Sequence, residues 1–432
     1  MEALKRIESK EAVVGVVGLG YVGLPLVLLA AEAGFPVIGL DIDPEKVRKL
    51  KAGESYIKHI PSEKVRRLGT LKFEPTTEFA AVRKCDIVII CVPTPLTHHM
   101  EPDMQFIEAT ARAMVPHLRK GQLIVLESTT YPGTTEEFLQ PILETSGLKA
   151  GTDFHLAFSP EREDPGNPTF HTRVIPKVVG GMNATALDLA VAFYSRVVDT
   201  VVPVSSLKVA ESCKLLENIY RCVNIAMVNE LKMLFDRMGI DVWEVIRGAS
   251  TKPFGFQPFY PGPGLGGHCI PIDPFYLSWK AKEYDMNLNF VELAGEVNVG
   301  MPYYVVDRLQ AALNDRGKAL KGTTILILGA AYKKNIDDMR ESPTFKIWEV
   351  LESRGASVLY HDPYVPALPR TRKYELLAES QPLTPELLKR MDAVVIVTDH
   401  DSVDYKLVVE HAPLVVDSRN AVKFPSPKVV KA

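Results

Sequence analysis

Short apolar runs alternate with stretches of helical periodicity along the first part of the chain. The runs are rich in Val, Ile and Leu, which is typical of short strands buried on both faces of a sheet. Strands are predicted at 13–17, 37–40, 86–91 and 123–126, with a helix at 24–33 and weaker strands at 154–158 and 178–179. Alternation of strand and helix predicts a parallel, doubly wound α/β sheet.

Residues 207–238 have a different texture. They contain neither Pro nor Gly, and their apolar positions recur at helical spacing. At about 1.5 Å per residue, these 32 residues would form a helix roughly 48 Å long. So long a helix more often bridges two domains or forms a dimer face than lies within a small domain.

A second α/β pattern begins near Thr323, with strands predicted at 324–328, 358–360, 393–397 and 414–416. A chain of 432 residues has room for about two to four domains. We therefore predict an α/β fold in which two Rossmann-like, doubly wound domains are joined by a helical central domain with one long connecting helix. The predicted domain boundaries are 1–204, 205–305 and 306–432.

Composition narrows the class of protein. The apolar fraction of 46% and the charged fraction of 24% are ordinary for a globular protein with a full core. A net charge of −3 argues against a general nucleic-acid binder. The five cysteines show no metal-like pairing, so we expect reduced thiols and no metal site. The N-terminus has no signal core and no apolar run is long enough to span a bilayer, which predicts a cytoplasmic protein.

Gly18, Gly20 and Gly23 follow the first predicted strand and open the first helix. In a dinucleotide site such glycines allow the turn, the approach of the pyrophosphate and close helix–strand packing, and the helix N-terminus favours phosphate. Asp41, 18 positions after Gly23, ends the second strand, where a carboxylate binds a ribose 2′-hydroxyl and repels a 2′-phosphate. This predicts NAD rather than NADP. The alternative is a glycine-rich turn in another kind of α/β protein.

Glu211, Lys214, Asn218 and Arg221 form one polar stripe on the long predicted helix. A solvated stripe with ordinary ion pairing is the commoner case, and the stripe alone favours it.

The segment 261–274 carries a second candidate site. Its Gly- and Pro-rich start predicts a tight loop whose backbone lies close to a ligand, and this loop presents Cys269 with Asp273 four positions later. A thiol can capture an aldehyde made by a first hydride transfer and so permit a second. A free Cys is more often a small buried residue, which is the interpretation we favour for Cys85, Cys91, Cys213 and Cys222. His268 either tunes the thiol or bonds the loop.

Glu161 directly follows an apolar run and is a further candidate. A catalytic role and a surface salt bridge are both open for it.

Together these residues resemble the nucleotide-sugar dehydrogenases, the UDP-sugar 6-dehydrogenase family. The similarity covers nearly the whole chain and is carried by 18–25, 92–95, 127–130, 159–162, the Lys214/Asn218 helix, 266–269, 332–334 and 417–420. The resemblance implies an N-terminal NAD-binding Rossmann domain, a helical dimerising middle and a C-terminal UDP-binding α/β domain. The last domain lacks GxGxxG after Gly329, which fits a mononucleotide site.

The resemblance also implies roles for individual residues. Lys214 and Asn218 would stabilise a developing oxyanion, and Asp273 would act as a base through water. Cys269 would form a thiohemiacetal and then a thioester, which Glu161, with Thr130 nearby, would help water to hydrolyse. The implied cofactor-binding residues are Gly18, Gly20, Tyr21, Val22, Gly23, Asp41, Pro93, Thr94 and Thr129. The implied substrate-binding residues are Glu161, Arg162, Lys214, Asn218, Arg221, Phe259, Tyr260, Gly266, Tyr332, Lys333 and Arg419.

The resemblance extends to the substrate. His268 and the run 251–261 resemble members that act on UDP-N-acetylhexosamines. UDP-glucose members carry an Arg near position 253, where this stretch offers Lys252 instead. The expected activity is the four-electron oxidation of C6 of UDP-N-acetylglucosamine by two NAD, in a homodimer serving polysaccharide biosynthesis. UDP-N-acetylmannosamine and UDP-glucose stay open as substrates. Rival classes are a single-step hydroxyacid dehydrogenase of the 6-phosphogluconate type and a non-enzymatic NAD or UDP-sugar sensor.

Overall fold

A computed structural model describes residues 2–57, 60–97, 101–162, 171–267, 272–368, 374 and 376–432. The chain forms two compact units. The first unit comprises Met1–Glu217 with Phe275–Asn287, and the second comprises Asn218–Pro274 with Leu288–Ala432. The predicted division into three domains stays a prediction.

The first unit is built on an eight-stranded sheet with the order β3-β2-β1-β4-β5-β6-β7-β8. The strands are β1 Val14–Val17, β2 Val37–Leu40, β3 Phe73–Thr76, β4 Ile87–Ile90, β5 Leu123–Leu126, β6 His155–Phe158, β7 Lys177–Gly181 and β8 Val201–Val204. The helices that accompany them are α1 Glu2–Glu8, α2 Gly23–Glu32, α3 Pro44–Lys51, α4 Ser62–Leu68, α5 Gln105–Met114, α6 Gln140–Glu144 and α7 Ala184–Tyr194. Strands β1 to β6 are parallel and have the order of a dinucleotide-binding fold.

Layers of helices cover both faces of this sheet, as the alternation of side chains along β4 shows. Ile87 and Ile89 pack into a core that includes residues of α2 and α7. Val88 and Ile90 point to the opposite face and pack with residues of α5. Burial on both faces is the physical reason why these strands are continuous apolar runs, and it confirms the predicted doubly wound arrangement.

The sheet departs from a purely parallel one at its far end. Strand β7 runs antiparallel to β6, with Phe158 opposite Gly180, and β8 is parallel to β7. The first residue of β7, Lys177, is therefore next to the end of β6.

The second unit contains an all-parallel, five-stranded sheet with the order β10-β9-β11-β12-β13. The strands are β9 Thr324–Leu328, β10 Ser357–His361, β11 Ala393–Ile396, β12 Val415–Asp417 and β13 Val429–Lys431. The later helices of the chain are α9 Val242–Ala249, α10 Asp273–Ala281, α11 Asn289–Asn314, α12 Pro343–Ser353, α13 Pro385–Arg390 and α14 Tyr405–His411. This is the second common doubly wound order, and alternate residues of β9 again serve two separate cores.

The long helix α8 spans Leu207–Met238, as the uninterrupted periodicity predicts. Helix α11 was not predicted, because Pro302 and two glycines interrupt its pattern although the helix continues through them. None of the helices in the part of the chain that the structure describes is both long and apolar enough to cross a bilayer.

Candidate active site

The turn after β1 has the geometry of a phosphate cradle. Gly18 adopts a φ of +91°, which a side chain would strain. A Cβ on Gly20 would meet no atom within 4 Å, so this position faces open space. A Cβ on Gly23 would lie 1.8 Å from the carbonyl oxygen of Gly18, so only glycine permits this packing. Helix α2 begins at Gly23, and its N-terminal amides and the space at Gly20 fit the pyrophosphate of a dinucleotide.

Asp41 lies at the end of β2, beside this turn, and is 6% exposed. Its carboxylate accepts hydrogen bonds from the backbone of Leu19 at 2.8 Å and of Asp43 at 3.0 Å. Lys46 Nζ is 2.9 Å from the same carboxylate. The acid that was expected to bind a ribose is thus fixed against the glycine turn. Of the other predicted cofactor residues in the turn, Tyr21 is 38% exposed and Val22 is half-buried.

The loop after β5 contains two predicted residues that face different surroundings. Thr129 Oγ1 accepts a hydrogen bond from Lys214 Nζ at 2.6 Å. Thr130 is 1% exposed, and its Oγ1 has no hydrogen-bond partner within the described ranges. A buried hydroxyl without a partner is costly, which favours a bound group or water as its partner.

Glu211, on α8, holds the next part of the same loop. Its carboxylate accepts from the backbone of Gly133 at 2.6 Å and from the backbone and hydroxyl of Thr135 at 2.9 and 2.7 Å. Burial raises the pKa of Glu211 to about 7, against the opposing effect of these hydrogen bonds. Because Glu211 is 1% exposed, the alternative of a solvated stripe is wrong at this position.

Thr94 and Pro93, which follow β4, were also predicted to contact the cofactor. Thr94 is 3% exposed and Pro93 is exposed. The carbonyl oxygen of Thr94 accepts a hydrogen bond from the hydroxyl of Tyr276. Tyr276 is itself fully buried and anchors this loop from helix α10.

Glu161 belongs to a buried cluster of charged groups. Lys177 Nζ lies 3.1 Å from Glu161 Oε2 and 3.0 Å from Glu127 Oε2, and all three side chains are at most 8% exposed. Tyr194 donates a hydrogen bond to the second oxygen of Glu127. The alternative of a surface ion pair at Glu161 is therefore wrong. Lys177 and Glu127 were not among the predicted site residues: the resemblance covers 127–130 but assigned no role to Glu127, and Lys177 stands in no recognised motif.

Arg162 was predicted to bind substrate and is engaged with protein groups. Its guanidinium lies 2.6 Å from Glu217 Oε1 in a two-point contact, and it donates to the carbonyl oxygen of Pro176 at 2.7 Å. A contact with substrate would compete with the Glu217 pair.

In the second unit, two predicted catalytic residues that are far apart in sequence meet. Asn218 Nδ2 donates to Asp273 Oδ2 at 2.6 Å, and the two side chains are 6% and 2% exposed. Asp273 is the first residue of α10, where the helix dipole stabilises a carboxylate. Burial at Asn218 also contradicts a solvated stripe, while Arg221 is exposed.

The glycines before Cys269 make close packing contacts within the second unit. A Cβ on Gly266 would lie 2.5 Å from Tyr332 Cβ, and one on Gly262 would lie 2.5 Å from a terminal nitrogen of Arg419. The amide of Gly262 is held by Asn229 Oδ1 at 2.9 Å. The loop thus lies against two residues predicted to bind substrate. Cys269 and His268 lie outside the described residues.

The remaining predicted substrate residues are also in the second unit. Tyr260 is 54% exposed and stacks on Trp243, with ring centroids 5.8 Å apart. Phe259 and Lys333 are half-buried.

Two α/β sheets with the strand orders of nucleotide-binding folds, the first with a glycine turn shaped for a pyrophosphate, indicate a dehydrogenase that binds nucleotides. Sequence profiles identify the family to which the chain belongs. Profiles of the UDP-glucose/GDP-mannose dehydrogenase family match its NAD binding domain at residues 12–198, its central domain at 208–299 and its UDP binding domain at 326–424. The chain belongs to the UDP-glucose/GDP-mannose dehydrogenase family.

Similar proteins agree on the class and differ in the sugar they name. The chain is 36% identical to the UDP-N-acetyl-D-glucosamine 6-dehydrogenase of Pseudomonas aeruginosa over 86% of this chain and 88% of that protein. It is 33% identical to the UDP-N-acetyl-D-mannosamine dehydrogenase of Pyrococcus horikoshii, over 95% of this chain and 96% of that protein. A solved structure of the UDP-N-acetyl-D-mannosamine dehydrogenase from Pyrococcus horikoshii has a TM-score of 0.87 and 31% identity, covering 97% of this chain and 98% of that one.

Proposed function

We propose that this enzyme oxidises C6 of UDP-N-acetylglucosamine to the uronic acid in two successive steps. The observation that carries the catalytic part is the buried Asn218–Asp273 hydrogen bond of 2.6 Å. Asn218 and Asp273 are 55 positions apart in the chain, and the resemblance implies an oxyanion donor for the first and a base for the second. A buried amide and carboxylate in direct contact form a polar pair suited to bind and deprotonate a hydroxyl group.

In the first step, Asp273 accepts the proton of the C6 hydroxyl through a water molecule. Lys214 and Asn218, both on α8, donate hydrogen bonds to the oxygen as negative charge develops there. Thr129, at 2.6 Å, fixes the Lys214 ammonium. NAD⁺ held at the glycine turn after β1 would supply the hydride acceptor for this oxidation, and a second NAD⁺ would supply it for the next.

In the second step, the Cys269 thiolate adds to the aldehyde carbon and gives a thiohemiacetal, whose oxidation leaves a thioester. Glu161 removes a proton from water as the water oxygen attacks the thioester carbon, and the carbon–sulfur bond breaks to release thiolate and acid. The buried Thr130 hydroxyl, which lacks a partner among described residues, supplies a hydrogen bond at this centre. Overall, one alcohol, two NAD⁺ and one water give one carboxylate, two NADH and three protons.

The nucleotide part of the substrate is assigned to the second unit. Tyr332, Lys333 and Arg419 lie in or beside loops at the carboxyl ends of its strands, where doubly wound sheets bind ligands. Arg162 and Arg221 are proposed as further contacts to the anionic substrate. The sugar assignment rests on the stretch before Cys269: Phe254 is 72% exposed and Tyr260 is 54% exposed, so both are available as an apolar wall for the acetyl group.

We also propose a homodimer. Exposed apolar residues recur along one face of α8 at helical spacing, which is the pattern of a helix that packs against another helix. They are Leu216, Tyr220, Met227, Leu231, Leu234 and Met238. We propose as well that the chain divides into NAD, central and UDP domains and that the protein is cytoplasmic.

A panel of three sugars tests the substrate. With UDP-N-acetylglucosamine, UDP-N-acetylmannosamine and UDP-glucose at equal concentration, we expect the first to turn over fastest, with two NADH formed per acid. UDP-glucose should be about ten- to a hundredfold slower, because it leaves the partner of the acetyl group unpaired. Faster turnover of the manno epimer would overturn the sugar assignment and leave the mechanism intact.

Cys269→Ala tests the covalent step by removing the proposed nucleophile. This variant should bind NAD and the UDP-sugar and form no acid, as measured by mass spectrometry. Acid formation at the wild-type rate would remove the thioester from the mechanism, and a stoichiometry of one NADH would indicate a single-step dehydrogenase.

A further inference from the structure

Lys177 is buried between two carboxylates, one of which is the Glu161 proposed above to activate water. Its ammonium is 3.1 Å from Glu161 and 3.0 Å from Glu127, and its side chain is 4% exposed. The other oxygen of Glu161 accepts from the backbone of Arg162 at 2.7 Å. Both oxygens of Glu161 are thereby fixed in direction by groups that belong to the sheet edge and its loop.

The topology of the first sheet explains this arrangement. Glu127 directly follows β5 and Glu161 comes shortly after β6, so both carboxylates lie at the carboxyl ends of neighbouring parallel strands. A parallel β7 would begin at the opposite edge of the sheet. Because β7 runs antiparallel to β6, its first residue, Lys177, comes to the same edge as the carboxylates.

The charges of the cluster do not cancel. Two carboxylates share one ammonium, which leaves one net negative charge in a region with little access to water. Burial raises the pKa of Glu127, and the neighbouring Glu161 raises it further, while Lys177 and Tyr194 oppose the shift. Although burial alone would lower the pKa of Lys177, the two carboxylates raise it above its usual range, so the lysine stays charged.

We propose that Lys177 is a positioning residue that keeps Glu161 ionised and oriented, and that Glu127, by competing for the same ammonium, keeps Glu161 basic enough to take a proton from water. This inference rests on the proposed role of Glu161 in thioester hydrolysis. A lysine paired with Glu161 alone would orient the carboxylate but weaken it as a base. The second carboxylate divides the ammonium between two partners and restores proton affinity to the first.

Other charged and titratable groups near Glu161 enter the same balance. Tyr194, from α7, donates to Glu127, and Cys91, at the end of β4, is buried against the cluster with a thiol whose pKa burial raises. The guanidinium of Arg162 is paired with Glu217. Among these groups, Lys177 has the only cation within 4 Å of the two carboxylates in the described part of the chain.

The test is the pH dependence of thioester hydrolysis in variants that change the charge of the cluster in opposite directions. In Lys177→Met the acid limb of the pH–rate profile should shift to higher pH by about one to three units, because two buried carboxylates without a cation hold a proton more tightly. In the nearly isosteric Glu127→Gln the acid limb should move to lower pH, because the Lys177 ammonium then pairs with the Glu161 carboxylate alone. Lys177→Arg should restore most of the wild-type profile.

A second readout follows the enzyme itself. Intact-protein mass spectrometry of Lys177→Met at neutral pH should show the acyl-enzyme accumulating, with the first NADH formed at near the wild-type rate and steady-state turnover reduced about 10- to 100-fold. The matched control is Lys232→Met, which removes another paired lysine with a 2% exposed side chain in the second unit. It should leave the pH profile unchanged.

Superimposable pH profiles for wild type, Lys177→Met and Glu127→Gln would overturn the inference, as would an Arg variant no better than Met. If Lys177→Met does not fold, Glu127→Gln and Lys177→Arg still decide the question. Glu161→Gln distinguishes a failure of the role proposed for Glu161 from a failure of the inference about Lys177. Wild-type hydrolysis in Glu161→Gln would refute the role of Glu161 itself, whereas stalled hydrolysis there with unshifted profiles in the other variants would refute the inference about Lys177 alone.

Discussion

Asp41 and Asp362 occupy the same position in the two sheets and have different surroundings. Each follows the strand that comes second along the chain in its sheet. Each accepts hydrogen bonds from the loop after the first strand, from Leu19 in one case and from Ala330 and Ala331 in the other. The Asp41 carboxylate also pairs with the ammonium of Lys46, whose side chain is 32% exposed.

The Asp362 carboxylate is surrounded by hydrogen-bond donors of the second unit. It also accepts from the backbone of Tyr364 and Val365, and His400 Nε2 lies 3.0 Å from it. The other ring nitrogen of His400 accepts from the backbone of Asn335, so Nε2 carries the proton and donates to Asp362. Both side chains of this pair are 0% exposed.

The difference lies in the partners of the two carboxylates: Asp41 pairs with an ammonium that is one-third exposed, whereas Asp362 is held by a buried histidine and four backbone amides. The Asp41 position has a charged partner at the surface and an open glycine turn, which suits recognition of a ribose. The same position in the second sheet is saturated with protein donors and stabilises loops. Equivalent topology therefore does not give equivalent function, because the partners of the carboxylate decide what it does.

The largest effect is expected from breaking the Asp362 site. Asp362→Ala leaves several buried donors without an acceptor, each at a cost of about 1–3 kcal/mol, so the free energy of unfolding should fall by at least about 3 kcal/mol. Urea denaturation measures this. NAD affinity of the folded fraction should remain near wild type, and a variant with wild-type stability would show that these bonds are not structural.

Catalysis at the edge of the first sheet should be sensitive to one ammonium. Lys214→Ala should lower kcat by roughly 100–1,000-fold with a much smaller change in KM, because a donor aimed at a developing oxyanion acts mostly in the transition state. Steady-state kinetics on both parameters provides the check. A raised KM with wild-type kcat would place Lys214 in ground-state binding instead.

Asp41→Ala should relax the preference for NAD over NADP. One charge-assisted hydrogen bond to a ribose hydroxyl is worth about 1.5–3 kcal/mol, and the variant also frees Lys46 to attract a 2′-phosphate. The ratio of kcat/KM for the two cofactors is the measurement, with Asp362→Asn as the control that should keep the wild-type ratio. An unchanged ratio in Asp41→Ala would exclude Asp41 as the ribose ligand.

The smallest effect is a pH dependence of opposite sign in the two regions. The pKa of Glu211 is raised by burial from 4.5 to about 7, so between these values the folded chain holds a proton that the unfolded chain has lost, and its contribution to stability falls as the pH rises. Against burial, His400 and backbone amides lower the pKa of Asp362, so its contribution is present above about pH 4 and is lost in stronger acid.

Glu211→Gln should accordingly flatten the change in unfolding free energy between about pH 5 and 7, by roughly 1–3 kcal/mol at most. Asp362→Asn should alter only the acid side below about pH 4. Chemical denaturation across this pH range is the measurement. A wild-type slope in Glu211→Gln would assign the dependence to other groups.

The three strands that the sequence did not reveal share a physical cause. Strands β3, β8 and β13 are edges of their sheets. An edge strand is not enclosed by neighbours, so it does not need a continuous apolar run, and β3 and β8 each contain a proline that an inner strand would not tolerate. The inner strands β2, β5 and β9 have the bounds predicted for them, because burial on both faces requires apolar residues throughout.

The sequence by itself determined the inner strands, helix α8 and the glycine cradle with Asp41, because each of these follows from local spacing or composition. The candidates Lys214, Asn218 and Asp273 came from the resemblance to a known family. Only the tertiary structure decided that β7 reverses and brings Lys177 to Glu161, and that His400 saturates Asp362 from 38 positions away. Pairings of this kind depend on strand direction and loop closure, which are set by packing of the whole sheet and leave no periodic signal along the chain.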